Sequence, residues 1–197
     1  MQRLPASARG APAHRSIPGA LPSIDVLVCG SIDRGDEGAP SAASELLESD
    51  RPANARIRRI GKVDLDDLLS IPHGAGVVIV DTAWGVDPGT IIELPLRGLV
   101  GDASVQPRSS NSLAMPEVIG LADMLRGRPL VGRIVVIGAR RFNLGRPITR
   151  RVSAALPSLS HAIRVAIAHA TEALLEQDNE VSSMRSSAPA GRGHAIG

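Results

Sequence analysis

Along the chain, short continuous apolar runs alternate with stretches in which apolar residues recur at helical spacing. Three runs stand out: Ile24-Asp25-Val26-Leu27-Val28-Cys29 ending at Gly30, Gly76-Val77-Val78-Ile79-Val80-Asp81, and Arg133-Ile134-Val135-Val136-Ile137-Gly138. Residues apolar on consecutive positions, rather than on every second one, describe strands covered on both faces. The middle run is β-branched and unbroken, which predicts a central strand. Two weaker runs read as strands nearer an edge or shorter: 55–60, where Ile57 and Ile60 alternate with arginines, and 90–94, which follows the turn signal Asp87-Pro88-Gly89.

Helical patterns fill the intervals. They cover 41–47, with Glu45 and Glu48 on the polar side; 63–71, with Leu65, Leu68, Leu69 and Ile71; and 116–125, opened by Pro116 and continued by Val118, Leu121, Ala122 and Leu125. The last helix, 149–177, is expected to be interrupted or kinked at Pro157. Strands separated by helices mean βαβ units, hence an α/β fold with a largely parallel sheet. The flanks carry no such pattern. Residues 1–22 hold four prolines and three arginines but no acid, and 179–197 are rich in Ser, Gly, Ala and Arg, so both are expected to be disordered tails around one domain over 23–178.

Composition narrows the function classes. With 197 residues, 43% of them hydrophobic, the chain can bury one sizeable core, and disorder throughout is excluded. No apolar run approaches the roughly 20 residues of a membrane helix, and no apolar core follows the basic N-terminal positions as a secretory signal would require. The formal charge is only +2, yet the pI is about 9.4. All basic residues but Lys62 are arginine and tyrosine is absent, so a small positive excess survives to high pH. The pI therefore overstates basicity. One Trp and one Phe offer no stacking platform, and a nucleic-acid partner is not expected. Cys29 is the only cysteine and lies in an apolar strand; an inert core thiol and a cytoplasmic location are the expectation. The excess of Arg over Lys, with much Ala, Gly and Pro, is the composition of a GC-rich bacterial genome.

In an open parallel sheet, ligands bind beyond the carboxyl ends of the strands. The loop Gly30-Ser31-Ile32-Asp33-Arg34-Gly35-Asp36-Glu37-Gly38 leaves the first such end. Its glycines do not fit G-x-G-x-x-G, there is no G-K-[ST], and its three carboxylates would repel phosphate, so it is suited to a cation or cationic group. Asp81 ends the central strand, where a charge needs a partner. A cation shared with Glu37 would supply one; capping a neighbouring loop or pairing with an arginine would serve equally. The third segment, Ser109-Ser110-Asn111-Ser112-Leu113-Ala114-Met115-Pro116-Glu117-Val118, enters a helix, and its polar residues suit free N–H groups at a helix start.

Taken in order, these segments resemble the nickel-iron hydrogenase maturation proteases, endopeptidases that trim the C-terminal extension of a hydrogenase large-subunit precursor. Val26-Leu27-Val28-Cys29-Gly30-Ser31 through Gly35-Asp36-Glu37-Gly38 is similar to the family's opening strand, G-N and D-E-G loop. Val77-Val78-Ile79-Val80-Asp81-Thr82-Ala83 with Pro88-Gly89 matches its strand, D-A and P-G. Residues 113–124 resemble the helix after the family's histidine, and Ile134-Val135-Val136-Ile137-Gly138-Ala139 with Gly145 and Ile148-Thr149 follows its late V-V-G-I and G-x-x-L-S pattern. The resemblance spans about residues 24–175.

The resemblance implies a three-layer α/β/α architecture with a five-stranded sheet, and a nickel site at the crevice whose ligands by position are Glu37, Asp81 and Asn111. Asn111 stands where the family has histidine, and a neutral amide oxygen is a weaker donor to nickel than imidazole. Ser31 likewise replaces the family's asparagine. His73 is expected at the opposite end of the sheet, His161 and His169 on one face of the last helix, and His14 and His194 in the tails. No Ser-His-Asp or Cys-His arrangement can be assembled, so for a peptidase the remaining route is metal-linked; the resemblance then puts Glu37 and Asp81 at the reacting centre, and Asp36 either assists proton transfer or only orders the loop. Arg140 and Arg141 could bind a carboxylate or the precursor's backbone carbonyls or simply be solvated, and Trp84 could anchor a partner or be partly buried packing. Two functions follow from the resemblance: an endopeptidase acting on the precursor after nickel insertion, with Ni2+ bound by the protein or supplied by the precursor, or a non-cleaving accessory protein that docks on it. Small-molecule binding rests on the fold class alone.

Overall fold

The computed structural model describes residues 20–99 and 115–186. Five strands form one sheet in the order β2-β1-β3-β5-β4, with β1 at Ile24–Val28, β2 at Ala55–Arg59, β3 at Gly76–Ala83, β4 at Ile91–Pro95 and β5 at Gly132–Gly138. The pairings β1–β2, β1–β3 and β3–β5 are parallel, and only β4 runs antiparallel, along β5. The three main apolar runs thus occupy the three central positions, and the arginine-bearing run 55–59 takes an edge.

Helices cover both faces: α1 at Ala39–Glu48, α2 at Leu65–Leu69, α3 at Leu96–Leu99, α4 at Met115–Arg126, α5 at Arg150–Ala154 and α6 at Leu156–Ser186. Alternate residues of one strand feed separate cores. Val26, Val28, Val78, Val80, Val135 and Ile137 pack under α1 and α6, against Leu47, Leu159, Ile163 and Ile167. Leu27, Cys29, Val77, Ile79, Ile134 and Val136 pack under α2 and α4, against Leu68, Val118 and Ile119. The architecture is the three-layer α/β/α sandwich.

Local chemistry explains several boundaries. Asp64 opens α2 through a capping box: its side chain accepts the Asp67 N–H while the Asp67 carboxylate accepts the Asp64 N–H. The expected interruption of the last helix falls at Ala155, which lies between α5 and α6 with φ −90° and ψ −5°. Pro157 itself sits in the first turn of α6, where its missing N–H is not needed. The end of that helix differs from the expectation. It runs past Gln177 to Ser186, so the first turns of the segment 179–197 are helical. The last buried core residue is Leu174, and residues 178–180 are exposed. An apolar stripe therefore ends before the helix does. Of the 1–22 tail, all but the last three residues lie outside the described residues.

Candidate active site

The chain leaves β1 for the β2 side of the sheet and returns to β3 on the other side, so the carboxyl ends of β1 and β3 form the switch point at which an open α/β sheet parts. β1 pairs with β3 as far as Val28 opposite Val80, and β3 then continues to Ala83 beside β5 alone. Asp81 is the first residue of β3 beyond that pairing. Gly30 makes the parting possible. Its φ is +101°, and a Cβ there would overlap the Glu37 carbonyl oxygen and lie 3.2 Å from the Glu37 Cγ. Glu37 follows in the single 3-10 turn Gly35–Gly38 that leads into α1.

Glu37 and Asp81 are thereby brought to one place. Burial pushes the Asp81 pKa up; the Thr82 N–H opposes this, the Glu37 charge adds to it, Lys62 offsets part, and the result is about 6. Asp81 Oδ1 accepts the Thr82 N–H at 2.7 Å, and no arginine pairs with Asp81 among the described residues. Glu37 Oε2 is buried and accepts no hydrogen bond, although Arg34 Nε lies 2.9 Å away as an off-axis ion pair. A carboxylate whose ionisation is opposed by burial and by a second carboxylate nearby is a donor that fits a cation.

Asp36 has a different environment, and of its two expected roles the surroundings are those of the one that orders the loop. It is fully buried. Its Oδ1 accepts the Thr149 N–H at 2.7 Å, and its Oδ2 accepts the N–H groups of Arg140 and Arg141 at 3.2 and 3.1 Å. Burial alone would raise its pKa, but these donors outweigh it and the pKa is lowered. An enclosed carboxylate that holds its charge so firmly is a poor proton carrier. Asp36 orders the loop after β5 against the loop after β1.

The remaining candidates are placed as follows. Asn111 lies outside the described residues. Cys29 is buried, and burial, with Asp81 adding, pushes its thiol well above the usual range, as expected of an inert core cysteine. His73 precedes β3 at the far end of the sheet, His161 is exposed on α6, and His169 is 2.8 Å from Glu93 Oε1, away from the crevice. Among the described residues no group of three His, Cys, Asp or Glu side chains is set to hold a metal ion. Trp84 is 66% exposed, which overturns the packed alternative. Arg140 Nη2 is 3.5 Å from Asp87 Oδ1, both exposed.

Three contributors were not anticipated. Thr149 holds Asp36, Lys62 bears on Asp81, and Phe142 packs against Trp84 with ring centroids 5.6 Å apart and planes tilted by 41°. Phe142 and Lys62 are each the only residue of their kind and each follows a strand, which was the available signal.

No protein-family model and no curated protein matches the sequence. Solved structures do match. The nickel-iron hydrogenase maturation protease HybD from Thermococcus kodakarensis superposes with a TM-score of 0.57 at 18% identity, covering 73% of this chain and 99% of that one. The hydrogenase maturating endopeptidase HybD from E. coli gives 0.57 at 19% identity, covering 74% and 91%. The maturation protease HycI from Thermococcus kodakarensis KOD1 gives 0.55 at 19% identity, covering 74% and 92%. The chain has the fold of the nickel-iron hydrogenase maturation proteases, in a divergent sequence. No helix among the described residues is long and apolar enough to cross a membrane.

Proposed function

We propose that this protein is a cytoplasmic endopeptidase that removes the C-terminal extension of a nickel-iron hydrogenase large-subunit precursor after nickel insertion. The observation that carries the reading is the meeting of Glu37 and Asp81 at the β1/β3 switch point, with Asp81 held near a pKa of 6 by burial and by the Glu37 charge. Nickel is here part of the substrate. Glu37 and Asp81 are the carboxylates that would face it, with Asn111 contributing an amide oxygen. A seated divalent ion would offset the mutual repulsion of the pair and place the adjoining peptide bond over the crevice. Asp36 supports this arrangement by fixing the loops.

A second reading, a non-cleaving accessory protein that docks on the precursor, is favoured by one observation. No histidine among the described residues lies at the crevice, and the carboxylate expected to move protons is sequestered. Intact mass of a nickel-loaded precursor, incubated with this protein and separately with its Glu37→Gln variant, separates the two. Loss of a C-terminal peptide with the unaltered protein alone supports the endopeptidase. An uncut precursor that another maturation protease does process leaves the accessory reading.

A further inference from the structure

Three loops leave the carboxyl ends of β1, β3 and β5, and backbone hydrogen bonds join them into one surface. The Gly145 N–H donates to the Asp33 carbonyl at 2.7 Å, the Gly35 N–H to the Arg146 carbonyl at 2.9 Å, the Asp36 N–H to the Arg141 carbonyl at 2.8 Å, and the Ala139 N–H to the Ala83 carbonyl at 3.0 Å. These loops display Ile32, Trp84 and Leu144, which are 65, 66 and 78% exposed, with Phe142 against Trp84. Single exposed apolar residues are ordinary. Here they gather at the end of the sheet that carries Glu37 and Asp81, and none of them belongs to either core.

The charges around them are lopsided. Arg34, Arg140, Arg141 and Arg146 are exposed on the same loops, against the exposed acids Asp33 and Asp87. Arg34 is engaged by Glu37 and Arg140 by Asp87, while Arg141 and Arg146 meet no carboxylate among the described residues. A guanidinium placed this way attracts an incoming carboxylate, and an exposed Trp beside it offers apolar contact with little side-chain entropy to lose.

We propose that this rim docks an acidic peptide segment that also carries apolar side chains. Its carboxylates meet Arg141 and Arg146, and its apolar groups cover Trp84, Phe142 and Leu144. Resting on the function proposed above, that segment is the part of the precursor next to its cleavage point; the docking itself requires neither nickel nor hydrolysis.

Trp84 is the only tryptophan, so its emission reports the surface directly. The full chain is titrated with the synthetic peptide Ac-Glu-Leu-Glu-Phe-Glu-Leu-Glu-NH2, with the same peptide carrying Lys for Glu, and with one carrying Ser for Leu and Phe. The expected result is a saturable shift to shorter wavelength with the first peptide. Binding should be at least about tenfold weaker for the other two, and for the first peptide with the Arg141→Glu/Arg146→Glu variant. Equal binding of the three peptides, no binding of any, or an unchanged affinity in the double variant would overturn the proposal. So would sedimentation showing a dimer that already shields Trp84. Peptide binding without precursor cleavage would defeat the endopeptidase reading alone. Cleavage at an unchanged rate in the double variant, without peptide binding, would defeat the docking proposal alone.

Discussion

Asp36 and Asp81 are both carboxylates at the carboxyl end of the sheet, and their surroundings treat them in opposite ways. Asp36 is enclosed by three backbone N–H groups drawn from the loop after β5, and its pKa is lowered because those donors outweigh burial. Asp81 is half-buried, with one local donor and a second negative charge nearby, and its pKa is raised to about 6. The first region spends its charge on holding loops together. The second leaves a carboxylate where its charge is disfavoured, a cost that a bound cation would relieve. Glu37, adjacent to Asp36 in sequence, belongs to the second region. A 3-10 turn separates their roles by directing one side chain into the loop junction and the other toward the crevice.

The comparison is broken most severely by removing the holding carboxylate. Asp36→Ala leaves three N–H groups without their acceptor and should cost about 4 kcal/mol, lowering Tm by roughly 10 °C in a calorimetric scan. Because the folded pKa of Asp36 lies below its ordinary value, the native protein keeps this contribution above the ordinary carboxylate range and loses it as pH falls through the folded pKa. The variant should therefore approach the native protein in stability at the acid end. A variant as stable as the native protein at neutral pH would show that Asp36 holds nothing.

Gly30→Ala tests whether the two regions depend on the same close approach. The positive φ and the overlap with the Glu37 carbonyl together should cost about 3 kcal/mol in urea unfolding, and any residual fold should carry Glu37 out of register, abolishing precursor cleavage.

Asp81→Asn should act in the opposite direction. A folded pKa above the unfolded one means that Asp81 favours folding fully below about pH 4 and that this is lost as pH rises through about 6. The amide avoids that loss, so the variant should gain about 2 kcal/mol at pH 8 and none at pH 4, while losing cleavage. Equal stability of the two proteins across that range in denaturant titrations would remove the argument for a strained site.

The smallest effect is expected at Arg34→Ala. Its partner Glu37 is only partly buried and the Arg34 side chain is 52% exposed. Unfolding should change by less than about 1 kcal/mol; a larger loss would mean that Glu37 is stabilised as Asp36 is and that the two regions are not distinct.

Much of this could be read from the linear pattern. The runs at 24–29, 76–81 and 133–138 identified the three central strands because a strand covered on both faces is apolar at most positions; Asp25, the buried exception in the first, is paired with Arg56. Arginines in 55–59 marked an edge strand. Asp81 was singled out as the carboxylate that closes the central run, and Glu37 as an acid of the loop that follows the first run. What stayed hidden depended on contacts between distant segments. Asp36 and Thr149 are 113 positions apart, and only the docking of two loops decides that one binds the other. Nor does Trp84 announce its exposure, since a lone Trp suits a core or a surface equally until Phe142 is brought beside it. The end of α6 escaped because its last turns bury no stripe.

Periodicity and residue type by themselves determined the strands and their burial, since a strand covered on both faces needs apolar residues at consecutive positions, and that demand is written along the chain. The tertiary structure alone decided which acid is satisfied and which is left strained. Those energies come from the groups that surround a charge in space, and here the groups come from loops more than 100 residues away.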